Sequence, residues 1–189
     1  ATQMTGQMAR FYGLPMRASG SCAANVPDGQ AMWETYQALW SAVQAGAHVI
    51  YHAAGWLEGG LVASPAKFVM DCELIQQIQR YFDPVLTATA EADIAVDAVA
   101  EVGPHGHFFG APHTQARYET AFYQPFLSDW RNFEAWEAAG AAWTAERADR
   151  MWREIVAAFE PPPMDPAVRE ELAAFVERRR AEGGAPTDF

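Results

Sequence analysis

The sequence predicts an α/β protein built from parallel strand-helix units, and three observations carry that expectation. Two strand-loop-helix segments follow one another at a spacing of about 35 residues, the repeat of βα units in a parallel sheet or barrel. Each helix opens on its own capping signal, Asp28 for the first and Ser64-Pro65 for the second. The chain also begins with a helix that leads directly into a strand, and such a helix needs an earlier strand to lie on. It is therefore expected to be the C-terminal part of a larger α/β protein.

Each element has a local reason. Gln3, Met4, Gln7, Met8 and Phe11 trace part of a helical face that Gly13 closes, and residues 14–18 read as a strand. After a loop over residues 19–27, Met32, Trp33, Tyr36, Leu39, Trp40 and Val43 keep a 3.6-residue period up to Gly46. Residues 47–53 form the next strand, and the glycine-rich loop Gly55-Trp56-Leu57-Glu58-Gly59-Gly60 follows. In the helix after Ser64-Pro65, Phe68, Cys72, Ile75, Ile78 and Phe82 are expected to point inward. Residues 84–87 read as one more short strand. Helices are then expected over residues 91–102, closed by Gly103-Pro104, and over 114–123, ended by Pro125. The aromatic run Tyr118, Phe122, Tyr123, Phe126, Trp130, Phe133 and Trp136, spaced mostly by three or four, reads as packing. A helix over 144–159 carries Met151, Trp152, Ile155, Val156 and Phe159 on one face. Beyond the stiff Pro161-Pro162-Pro163 spacer, a last helix over 166–181 matches its own dipole, acidic early and with Arg178, Arg179 and Arg180 late. Its narrow apolar stripe, Val168, Leu172, Phe175 and Val176, suits docking on a neighbouring surface or a second subunit.

Composition narrows the function classes. Half of the 189 residues are apolar, 13% aromatic and 20% charged, enough to build a core. Apolar stretches are broken well before about 18 residues, so no membrane span is expected. No signal-peptide pattern opens the chain. With 24 acidic against 13 basic residues the net charge is -11, a field that repels phosphate backbones and anionic lipid. Neither nucleic acid nor membrane is an expected partner. Cys22 and Cys72 make neither a disulfide framework nor a zinc knuckle, which places the chain in a reducing cytoplasm. No phosphate-binding glycine motif occurs, and Lys67 is the sole lysine.

Reactive groups of a parallel α/β architecture sit at the carboxyl ends of strands and in the loops that follow. That rule selects Arg17, Ser19 and Ser21 after the first strand, and His52, Trp56 and Glu58 after the second. His52, flanked on its face by Ile50 and Ala54, is expected to project into a mostly dry interior, where its imidazole serves as the principal catalytic candidate. The alternative is a core histidine bonded to a backbone carbonyl. Arg17 can clamp an anion or pair with a neighbouring carboxylate, and the glycines around Trp56 either make a tight turn or bring its ring over a bound cation. His105, His107 and His113 allow a zinc reading, but their Gly-Pro-flanked segment reads equally as a loop beside a helix start, and no metal site is assigned. Cys22 and Cys72, with no histidine beside either, read as small buried side chains.

Several blocks carry a resemblance. His52-Ala53-Ala54-Gly55-Trp56-Leu57-Glu58-Gly59-Gly60, Glu101-Val102-Gly103-Pro104, Gly106-His107-Phe108, Tyr118-Glu119-Thr120-Ala121-Phe122-Tyr123, Leu127-Ser128-Asp129-Trp130-Arg131-Asn132-Phe133-Glu134 and Arg179-Arg180-Ala181-Glu182-Gly183-Gly184 resemble the C-terminal portion of the trimethylamine methyltransferase family. The resemblance implies a (β/α)8 TIM-type barrel at least about twice this length. This chain would supply its last βα units over residues 1–127 and a helical extension over 128–189. It also implies an enzyme that moves a methyl group from a tertiary or quaternary amine to the cobalt of a corrinoid held by a separate protein, with no cofactor bound by this chain alone. In such a site His52 would be catalytic, and Arg17, Tyr51, Trp56 and Glu58 would bind substrate, the aromatics facing an ammonium and Arg17 with His52 orienting a carboxylate. Trimethylamine-using members employ pyrrolysine, whereas all residues here are standard, so a betaine-like quaternary amine fits better. The family pattern has Gly where this chain has His105, which makes that histidine incidental. A homo-oligomer is expected. The competing reading is a helical docking or oligomerisation module without chemistry of its own, and a metal-dependent hydrolase ranks behind both.

Overall fold

The structure is a computed structural model and describes residues 1–83 and 94–183. The strand expected over 84–87 and the first turn of the helix expected over 91–102 lie outside the described residues. The chain divides into two compact units, Ala1–Glu154 and Ile155–Phe189.

The first unit opens with helix α1 (Thr2–Tyr12), ended by Gly13 in the left-handed conformation its φ of 65° requires. Strand β1 (Arg17–Ser19) follows, starting three residues later than the hydrophobic pattern suggests. Asp28 caps α2 (Gly29–Gln44), its carboxylate accepting from the N–H groups of Gln30 and Ala31. Strand β2 (Val49–Tyr51) then pairs with β1 in parallel, Arg17 opposite Val49 and Ser19 opposite Tyr51. This β1-α2-β2 unit is the parallel architecture expected from the spacing. The segment after β2, expected as a glycine-rich loop, contains a small antiparallel hairpin of β3 (Trp56–Leu57) and β4 (Val62–Ala63) around a 3₁₀ turn. Ser64 caps α3 (Pro65–Phe82) by accepting from the Lys67 N–H.

Beyond α3 the described chain has short elements: α4 (Val96–Val102), α5 (Pro112–Gln115), α6 (Phe133–Ala138) and α7 (Thr144–Ala157). The helix expected over 114–123 is a single turn followed by non-helical turns. In the second unit α8 (Pro166–Ala181) forms where expected, capped by Asp165, with Val168, Leu172, Phe175 and Val176 all exposed.

The buried faces differ from those the periodicity predicts. Helix α2 buries Ala31, Thr35, Leu39 and Ala42, while Trp33 and Tyr36 are exposed; Tyr36 stacks on Trp40, which meets Tyr81 and Phe82. Helix α3 buries Ala66, Lys67, Val69, Met70, Asp71, Glu73 and Ile78, and leaves Phe68 and Phe82 exposed. The expectation that the largest apolar side chains define the inner stripe is thus corrected: small residues let α2 and α3 approach, and an ion pair occupies the space between them. One core cluster joins Ala66, Val69 and Met70 to Leu127 and Ala148, with Met32, Met151 and Trp152 packed against it. The aromatic run after residue 117 is not the packing expected of it, since Tyr118, Phe122, Phe126, Trp130 and Phe133 are exposed. On α1 only Gly6 is buried, and Met4, Met8 and Phe11 are exposed.

Two carboxylates hold distant segments in place. Glu73, 3% exposed, accepts from the N–H groups of Leu127 and Ser128 and from the Ser128 hydroxyl. Glu34 accepts from the N–H groups of Ala23 and Ala24 at 2.7 and 3.2 Å, fastening the loop after β1 to α2.

Candidate functional site

The tips of β1 and β2 bring most of the predicted residues together. Alternation along the two strands puts Arg17, Ser19, Val49 and Tyr51 on one face. The Arg17 guanidinium lies over the Tyr51 ring, 4.8 Å from its centroid. Ser19 Oγ is 3.0 Å from His52 Nδ1, and the Trp56 ring meets the imidazole edge-on at 4.8 Å between centroids. Arg17, Ser19, Tyr51, His52 and Trp56 therefore form a continuous chain of contacts. Glu58 sits apart from it, its carboxylate accepting from Asn25 Nδ2 at 3.2 Å.

His52 does not enter the dry interior expected for it. The alternation of β2 stops at Tyr51, and His52 adopts a left-handed backbone with φ of 55°, which turns its ring out to an exposed position beside Ser19. The alternative core reading fails for the same reason. Glycine permits the tight approach of the two strand tips: a Cβ on Gly20 would lie 2.8 Å from Leu39 and 3.0 Å from the Ala53 backbone, and the Gly20 N–H donates to the Tyr51 carbonyl.

The loop from His52 to Trp56 is held from beneath by groups the sequence reading missed. Lys67 Nζ lies 2.6 Å from both carboxylate oxygens of Asp71 and 2.9 Å from Thr35 Oγ1. Asp71 Oδ2 also accepts from the Gly55 N–H at 2.8 Å. Burial pushes the Asp71 carboxyl above the usual carboxylate range, while Lys67 and the Gly55 N–H pull the other way. Removing one partner alone would strand a buried charge, at a cost of about 3 to 5 kcal/mol. The available signal was the sole lysine with an aspartate four residues on; lysine composition alone reads as surface.

The other side of the hairpin is tied to the first loop. Cys22 Sγ donates to the Trp56 carbonyl, and the Glu58 and Gly59 N–H groups donate to the Ala24 and Cys22 carbonyls. Cys22 is buried with Ala24, Ala31 and Leu57, as a small core side chain. Burial raises the pKa of Cys72, which holds it as a thiol. Among the described residues, no group of three or more His, Cys, Asp or Glu side chains is arranged to hold a metal ion, so His105, His107 and His113 are not brought together as ligands.

A cavity of about 580 Å³ lies elsewhere in the first unit, lined among others by Met32, Met70, Glu73, Leu127 and Trp143. None of Arg17, Tyr51, His52, Trp56 or Glu58 lines it. Its one enclosed carboxylate, Glu73, is already committed to Leu127 and Ser128, so the strand-tip cluster carries the better chemistry.

Comparison with known proteins places these residues in context. The family model described as trimethylamine methyltransferase (MTTB) matches residues 1–184. A glycine betaine methyltransferase of Desulfitobacterium hafniense (strain Y51) is 34% identical over 181 residues, which are 95% of this chain and 37% of that protein. A trimethylamine methyltransferase MttB of Desulfitobacterium hafniense (strain DSM 10664 / DCB-2) is 31% identical over 94% of this chain and 35% of its own length. The trimethylamine methyltransferase MttB1 of Methanosarcina acetivorans is 29% identical over 91% of the chain and 34% of its own length. The chain thus spans little more than a third of the curated relatives it matches.

Proposed function

The chain belongs to the trimethylamine methyltransferase family, and from that premise we propose that the protein carrying it transfers a methyl group from a betaine-like quaternary amine to the cobalt of a corrinoid held by a separate protein. The observation that carries this reading is the strand-tip cluster: a guanidinium, a hydroxyl, an imidazole and two aromatic rings in mutual contact at the ends of parallel β1 and β2. A cation already rests on Tyr51 in the form of Arg17, so that ring face suits a quaternary ammonium once Arg17 turns to a substrate carboxylate. A cation-π contact of this kind contributes about 0.5 to 2 kcal/mol. The relative named for glycine betaine supports a substrate that bears both charges.

The acceptor is a co-substrate that supplies a nucleophile for the methyl carbon. As the new bond forms, the carbon-nitrogen bond breaks and nitrogen keeps the electron pair, leaving as a neutral tertiary amine that needs no proton. This chain's residues have only to bind and aim the donor: Arg17 and His52 hold the carboxylate end, Trp56 and Tyr51 the ammonium. Ser19 fixes the imidazole through Nδ1, which leaves Nε2 as the ring nitrogen to meet a substrate. Glu58, engaged by Asn25, acts through the hairpin turn it shares with Trp56.

The remaining expectations belong to the same reading. Residues 1–127 supply the last βα units of a TIM-type barrel and 128–189 a helical extension, in a cytoplasmic homo-oligomer that docks a corrinoid protein. No described helix is long and apolar enough to cross a membrane. The test is His52→Ala in the full-length protein, assayed for methyl transfer from a panel of quaternary amines to added corrinoid protein. A fall of about 100-fold or more is expected from losing an orienting group; unchanged turnover removes His52 from the site.

A further inference from the structure

Among the described residues, Lys67, Asp71 and Thr35 are the most completely enclosed polar side chains, at 0%, 0% and 1% exposure. Their side-chain hydrogen bonds run to one another and to the Gly55 N–H. Resting on the methyltransferase reading, we propose that Asp71, held by Lys67 and Thr35, is a positioning residue for the amine site: its carboxylate fixes the Gly55 N–H and thereby places His52 and Trp56.

The geometry supports more than an ion pair within one helix. Lys67 and Asp71 both belong to α3, and the pair would close on itself within one turn. Instead, Lys67 reaches α2 at Thr35, and Asp71 Oδ2 reaches the loop at Gly55. Gly55 is gripped at both ends of its peptide units, its N–H by Asp71 at 2.8 Å and its carbonyl by the Ser64 N–H at 2.8 Å. With a φ of 81° and Phe68 directly beneath, Gly55 offers only backbone to hold. It lies one residue before Trp56 and three after His52, whose own left-handed backbone needs an external restraint. Lys67 Nζ, 2.6 Å from both Asp71 oxygens, holds the carboxyl in the orientation that receives the Gly55 N–H.

Two double variants of the full-length protein separate positioning from bulk stability. Lys67→Met with Asp71→Asn removes both charges but retains an acceptor for Gly55, whereas Lys67→Met with Asp71→Leu removes the acceptor as well. Relative to the first, the second is expected to show about tenfold faster amide hydrogen exchange over residues 52–60. It should also show about tenfold higher KM for the amine, with kcat within about twofold. Equal exchange in the two variants, or a raised KM without faster exchange, overturns the proposal. Lys67→Met with Asp71→Ala is a second acceptor-free variant, read the same way if the leucine does not fold. If the wild-type protein transfers methyl from no amine, the methyltransferase reading falls, and the exchange comparison alone then decides whether Asp71 places the loop.

Discussion

At the scale of single residues, conformation outweighs pattern around the candidate site. His52 is a strand residue by alternation but turns outward because its φ is positive, and nothing in the strand's apolar spacing encodes that turn. The Lys67-Asp71 pair was equally hidden, because composition assigns a lysine to solvent and only the enclosed space between α2 and α3 makes the pair necessary. The rule that strand ends carry chemistry in parallel folds picked out Arg17, Ser19, His52 and Trp56, which the structure gathers at the tips of β1 and β2, whereas Tyr51 entered only with the family resemblance. Gly55→Ala is expected to destabilise the full-length protein by about 1 to 3 kcal/mol, measured by urea unfolding, because a side chain at this φ is strained and would press on Phe68. Glu34 gives a pH signature. Hydrogen bonds from Gln30 and the Ala23 N–H hold its carboxyl below the ordinary 4.5, so the unfolded chain takes up a proton first as pH falls. Its contribution is complete above 4.5 and is lost as pH drops through the lower folded value. The melting temperature of wild type should therefore fall more steeply than that of Glu34→Gln below pH 4.5, and parallel curves would refute it.

At the scale of elements, the starts of helices were the most legible part of the chain. Asp28 and Ser64-Pro65 signal local hydrogen bonding that depends on a few neighbouring atoms, and both helices begin where those signals stand, as the last helix begins at residue 166. The inner faces of α2 and α3 were not legible, since burial depends on what lies opposite rather than on which side chains are largest. Aromatics on α2 cluster with Tyr81 and Phe82, while Ala31, Thr35 and Ala42 take the close contact. Asp28→Ala and Ser64→Ala should each cost about 1 kcal/mol by loss of an N-terminal cap. Because Ser64 both caps α3 and donates its N–H to Gly55, only Ser64→Pro, which also removes that donor, is expected to speed hydrogen exchange in the hairpin.

At the scale of the whole molecule, the parallel β1-α2-β2 unit, net charge and family were legible, and the degree of enclosure was not. Met4, Met8 and Phe11 on α1, and Val168, Leu172, Phe175 and Val176 on α8, are rows of exposed apolar side chains, the kind of surface that marks association. The 189-residue chain purified alone should therefore self-associate and bind a hydrophobic dye. Association should rise with salt, because screening weakens the repulsion from a net charge of -11. A concentration-independent monomer in sedimentation velocity, with no dye binding, would contradict this.

The meeting of α1 with α2 has a mechanical corollary. At Gly6 a Cβ would stand 2.3 Å from the Ala45 carbonyl oxygen, and Arg10 donates to that same oxygen. The opening helix is thus pinned at one bare spot to the end of its neighbour, like a lever on a pivot. A methyl group at position 6 would prise it off that pivot, and losing the Arg10 guanidinium would loosen the same fulcrum from its other side.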